Sequence, residues 1–210
     1  MLNRGFTLLE VLVTLVILLF GLLGVAGLMA KGQRLSFEAF QRQQALALAN
    51  DMAERLRANN SASSDLTYFA DAPLNIPLGP GNYYAQLLNG AITDCGTGAP
   101  CTTSQIAQYD IALWDGLLNG YTQSQGVGGL RTGGIINARG CIANTGSSQA
   151  TSCPGVNGNA TYTQSIEVSV AWQGHDQTVA PTANTCGTGL YGLETQRRVV
   201  ALDLMLVQPC

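Results

Sequence analysis

The sequence predicts an α+β fold, with one long N-terminal helix laid by its second half across an antiparallel sheet. Three observations lead there. A 25-residue apolar run, Phe6 to Ala30, carries a single charge at Glu10 and no proline. Helical periodicity then continues to about Asn59. Strand-like alternation appears only late, over Tyr162 to Gln173 and Arg197 to Val207. Strands with one apolar face need a matching apolar stripe, and the amphipathic half of the helix supplies it.

The run from Phe6 to Ala30 is long enough to cross a bilayer core as a helix. Glu10 within it is costly, about 2.5–3.5 kcal/mol near a membrane centre. It lies about one helical turn from Phe6, so it falls near one membrane face. An intramembrane acid is a functional suspect that needs a partner. The leader Met1-Leu2-Asn3-Arg4-Gly5 is too short for a secretory signal, the apolar run is too long, and no small-x-small site follows it. The only plausible processing point is Gly5-Phe6, ahead of the apolar run.

From Lys31 to Asn59 the helix reads as amphipathic, with Leu48, Met52 and Leu56 on a stripe flanked by Ala45, Ala49 and Ala53. Gly21, Gly24, Gly27 and Gly32 lie where the two halves meet, and each costs helix stability. At 1.5 Å per residue the helix spans ~80 Å, of which ~30 Å crosses hydrocarbon, so its first half is expected to protrude. Asn59 to Ser64 reads as a polar linker, and Asp71 to Gly81, with three prolines, as an irregular loop. Thr102-x-x-Gln105 resembles a capping box before Ile106, Asp110, Leu113, Trp114 and Leu117, a short amphipathic helix. Ile135 to Ile142 is a further candidate strand. The domain reading is leader 1–5, membrane half 6–30, amphipathic half 31–60 and globular part 61–210.

Several function classes are excluded. Charged residues make up 11% and net charge is −3, with no basic face for nucleic acid. The Gly126 to Gly134 stretch lacks the order of a phosphate-binding loop. His175-Asp176 is the one histidine beside an acid, and neighbours on a strand face apart, so no triad is expected. Asn59-Asn60-Ser61 and Asn159-Ala160-Thr161 match glycosylation acceptors by chance. No catalytic signature is present, so the protein is expected not to be an enzyme and to need no cofactor.

The six cysteines, Cys95, Cys101, Cys141, Cys153, Cys186 and Cys210, all follow the helix. An even count in a Gly-, Thr- and Asn-rich body indicates disulfides and an oxidising compartment. Zinc is not expected, because no C-x-x-C pair occurs. Six cysteines allow 15 pairings. Nearest-neighbour pairing would give three bonds, Cys95–Cys101, Cys141–Cys153 and Cys186–Cys210. Positive charge is nearly balanced across the apolar run, so the cysteines set the orientation, with Lys31 to Cys210 outside the cytoplasm.

The stretch Arg4-Gly5-Phe6-Thr7-Leu8-Leu9-Glu10-Val11-Leu12-Val13 resembles a type IV prepilin signal. The resemblance implies cleavage after Gly5 by a prepilin peptidase and N-methylation of Phe6. It also implies that Glu10 is the family's assembly acid, and that the Gly-rich helix segment bends. Gln44 to Asn59 is similar to the PilV group of minor pilins. The likeness is strong over Gly5 to Asn59 and thin beyond. It implies a type IV pilin-like fold and a minor pilin acting in pilus assembly or initiation, hence in twitching motility and adhesion. Expected partners are other minor pilins, the major pilin, a large tip adhesin, the prepilin peptidase and the inner-membrane assembly platform. The expected location is the inner membrane with a periplasmic C-terminal part, then the pilus. A minor pseudopilin of type II secretion is the alternative.

Overall fold

The computed structural model describes residues 7–60, 77–98, 100–121, 134–148 and 161–209. The linker beyond Asn60, most of the Asp71 to Gly81 loop and most of the Gly-rich loop lie outside the described residues. The chain divides into two compact units, residues 1–40 and 41–210.

Helix α1 (Leu8–Ala58) is unbroken, including the segment of Gly21, Gly24, Gly27 and Gly32. Helical structure continues through the four glycines, so the segment is helical throughout and not melted. In the second unit α1 buries Gln41, Ala45, Ala49, Met52, Ala53 and Leu56, a stripe of spacing four and three. Leu48, expected beside them in the core, is only half-buried. The alanines take the inner face instead.

Helix α2 (Asn82–Leu88) is one short piece, and α3 (Thr103–Asn119) is the helix the capping box announced. Thr102 accepts from the Gln105 amide, and the Gln105 side chain accepts from the Thr102 amide at 2.9 Å. Gly120, at φ 80°, ends α3 in the left-handed conformation. Its buried apolar face is Ala107, Ile111, Trp114 and Leu118. That face is turned from the expected one: Ile106, Leu113 and Leu117 are only partly buried. The Trp114 indole donates to the Leu48 carbonyl of α1 at 2.9 Å, which satisfies its one polar atom in the core.

Three strands form an antiparallel sheet in the order β1-β2-β3: β1 (Arg139–Ser148), β2 (Thr161–Gln173) and β3 (Arg197–Pro209). The candidate strand at Ile135 to Ile142 is displaced. Asn137 takes φ 51°, so a turn occupies its first half and pairing begins at Arg139. On β2, Ile166, Val168, Val170 and Trp172 enter the core, as the alternation predicts. Val200, Leu204 and Leu206 of β3 join them, with Leu202 partly buried. The opposite face of β2 departs from the polar reading, because Ser169 and Ala171 are also buried, under the loop from 174 to 196.

Gly140 is required where β1 meets α3. A Cβ there would lie 2.3 Å from the Trp114 ring and 2.6 Å from Leu118. The α+β fold expected from the sequence is present: a long apolar-to-amphipathic helix, an antiparallel sheet and disulfide-held loops.

Candidate functional site

Two regions stand apart from ordinary packing: the N-terminal helix and the loop covering the outer face of the sheet. The helix is the expected assembly element. Gly5 and Phe6 lie outside the described residues. Thr7 precedes α1, and its carbonyl and hydroxyl accept from the Glu10 amide at 3.0 and 3.4 Å. Those bonds satisfy one of the four amides a helix start leaves open. Glu10 itself is exposed in the first turn, where a carboxylate meets the positive end of the helix dipole.

Every residue from Thr7 to Phe37 is exposed. Large apolar side chains are bare on all sides, from Leu8 at 83% to Met29 at 66%. A Cβ added at Gly21, Gly24, Gly27 or Gly32 would meet nothing within 4 Å, so no contact within this chain requires those glycines. Among the described residues, α1 is the one helix long and apolar enough to cross a membrane. A helix apolar all round is stable only in lipid or against other helices.

The second region is built by bonds. Cys141 of β1 is joined to Cys186 in the loop, and Cys95 is joined to Cys101. The first bond overturns the pairings Cys141–Cys153 and Cys186–Cys210. The cause is topological: antiparallel pairing carries β1 alongside β2, so the loop after β2 folds back over Cys141 although 45 residues separate the cysteines. Cys153 and Cys210 lie outside the described residues.

Arg197 is the loop's internal anchor. It is 3% exposed, and its guanidinium donates to the carbonyls of Pro181, Asn184 and Cys186 and to Glu194 Oε2. The Gly189 amide and then Arg197 hold the Glu194 carboxyl below its ordinary value. Tyr191 is buried and donates to the Asn137 carbonyl at 3.1 Å, and burial pushes its hydroxyl far up. Asn184 donates to Glu167 at 2.6 Å. Burial raises the Glu167 carboxyl; Asp203 across the ladder adds to the rise, and the Asn184 amide opposes it.

Asp115 of α3 does comparable work beneath α2. Its fully buried carboxylate accepts from the amides of Gly79, Gly81, Tyr83 and Tyr84 at 2.5 to 3.3 Å. It serves as the cap of α2 from another helix, since Gly81 has no side chain to do so. Sequence reasoning missed Asp115 and Arg197. Asp115 is a lone charge in an apolar stretch, the kind of pattern that made Glu10 conspicuous, whereas Arg197 sits among polar residues beside Arg198 and three positions after Glu194. His175 and Asp176 sit on an exposed bend after β2, not on a strand, and their side chains approach to 3.3 Å. The argument that strand geometry separates them therefore fails. Among the described residues no three His, Cys, Asp or Glu side chains gather as metal ligands.

Comparison with known families bears on the N-terminal helix and the helices that follow it. Residues 1–26 match the prokaryotic N-terminal methylation motif. Residues 34–112 match a family described as type IV pilin Tt1218, which covers the later part of α1, α2 and α3 up to Ala112. No curated protein and no solved structure matches the chain. The chain thus resembles type IV pilins over residues 34–112, behind a methylation-motif match, and this likeness supports a pilin role with α1 as the membrane-anchoring element.

Proposed function

We propose that this protein is a minor pilin of the PilV group that enters the type IV pilus and takes part in its assembly or initiation. Twitching motility and adhesion would follow from that role. One observation carries the reading: the methylation-motif match falls on a helix whose apolar surface is entirely bare and whose single charge over residues 7–30 is Glu10. Such a helix has two stable environments, hydrocarbon and a bundle of like helices. The protein moves from the first to the second. Cleavage after Gly5 makes Phe6 the amino terminus, and methylation leaves it charged. In a bundle of parallel helices, Glu10 of one subunit then meets the Phe6 amine of a neighbour shifted by about one turn. At the low dielectric of a bundle core that pairing is far stronger than in water, and it sets the stagger between subunits.

The two described disulfides support an oxidising compartment for the second unit, hence an inner-membrane precursor with its C-terminal part in the periplasm. The partners of this reading are other minor pilins, the major pilin, a large tip adhesin, the prepilin peptidase and the assembly platform. Glu10→Ala tests it. The variant is expected to be cut and inserted normally but to stay out of the filament. Surface pili counted by electron microscopy should fall, with export of a secreted enzyme unchanged. Lost export with normal pili would instead make the protein a pseudopilin. If both stay at wild-type level with the variant stably present, Glu10 is a snorkelling acid and the assembly reading fails.

A further inference from the structure

The two edges of the sheet are treated differently. On the β1 side, Leu78 pairs with Gly140 through two backbone bonds of 2.8 and 2.9 Å, and the register shifts at Asn144/Gly146. Covering and bulging are the usual ways in which an edge is closed to other chains. Strand β3 has neither. It pairs with β2 over thirteen residues without a shift, and among the described residues no backbone bond reaches its far side from Val199 to Leu206. Val199 to Leu206 holds one charge, Asp203, and no Lys or Pro. Met205 is 69% exposed. An edge so long, regular and apolar is a template for another strand.

The side chains specify what kind of strand. Ala143, Glu167 and Asp203 lie in one row across the sheet, so two carboxylates stand directly opposite each other. Like charges so placed are destabilising. An added strand contributes the next residue of that row. We propose that the free edge of β3 receives an extended segment of a different protein by strand addition, with a Lys or Arg opposite Asp203.

A second copy pairing through its own β3 does not supply that cation. Antiparallel β3–β3 pairing keeps core faces together only when residues of like parity oppose each other. Arg198 is excluded on that ground. Arg197 is buried and committed to Glu194 and three carbonyls.

The test uses the full chain in detergent micelles and two synthetic nine-residue peptides of alternating Val and Thr, one with a central Lys and one with a central Glu. Hydrogen exchange over residues 198–206 is the readout. Without peptide, about half of these amides should exchange fast, as expected of a strand bonded on one side. The Lys peptide should slow them and bind about five- to tenfold tighter than the Glu peptide. Asp203→Lys, which places a cation opposite Glu167, should invert the preference, and Asp203→Asn should abolish it. Slow exchange throughout β3 before peptide is added overturns the proposal. So does protection that grows with protein concentration alone, or equal binding of the two peptides by wild-type protein.

Discussion

Arg197 shows how much one side chain can organise. Its guanidinium is out of water, and every acceptor it meets belongs to the loop it holds. Arg197→Leu would leave three carbonyls and Glu194 Oε2 without the guanidinium donor. The expected cost is about 3 kcal/mol, read as a shift in urea unfolding followed by tryptophan fluorescence. Both tryptophans, Trp114 and Trp172, are buried in the core of the second unit and report on it. A change under about 0.5 kcal/mol would mean that the loop is held by the disulfide alone.

Glu194 adds a pH dependence whose sign follows from its lowered pKa. A carboxyl depressed in the folded state stabilises fully above its unfolded value near 4.5 and loses that contribution as pH falls through the lower folded value. Between pH 6 and pH 3 the melting temperature of wild type should fall further than that of Glu194→Gln. Parallel curves for the two proteins would remove Glu194 from the account. The side chain is more than a third exposed, so the difference is small.

At the scale of elements, the contact of β1 with α3 has no slack. Gly140→Ala forces a methyl against Trp114 and Leu118, both fully buried, and overpacking of this kind costs about 1–3 kcal/mol. Trp114→Phe should restore part of that loss in the double variant by opening space beside the new methyl; no recovery would place the strain in the backbone. The element scale is also where sequence reading worked and where it stopped. The capping box gave α3 its start, and alternation gave β2 and β3 nearly their full extents. The register of α3 was misread because Leu113 and Leu117 outweigh Ala107 and Ile111 in apolar bulk, yet geometry buried the latter pair. Partners distant in sequence were not legible. Nothing local joins Asp115 to Gly79, or Cys141 to Cys186, because those pairs are made by the topology of the sheet and helices.

For the whole molecule, the two described disulfides are unequal. Closing a loop of about 45 residues removes more chain entropy than closing one of about 6, roughly 4 against 2 kcal/mol. Cys141→Ala/Cys186→Ala should therefore lower the unfolding free energy about twice as much as Cys95→Ala/Cys101→Ala. A reversed order would show that the longer clamp restrains only its loop and not the fold. Processing is a property of the whole chain as well. Mass spectrometry of the mature protein is expected to give methylated Phe6 as its first residue, and Gly5→Leu should leave an inserted but uncut precursor. An intact Met1 in wild-type membranes would contradict the reading.

The loop from 174 to 196 is tied down by the Thr178 amide on the Thr195 carbonyl and by the Arg197 guanidinium on the Pro181 carbonyl, and between those two ties Val179 is 92% exposed. A surface fastened at its margins carries its sequence freely in the middle. Residues around Val179 contribute nothing to the core, so exchange of side chains there is close to neutral for folding. The fold thus presents a patch whose side chains can change while the scaffold beneath stays the same.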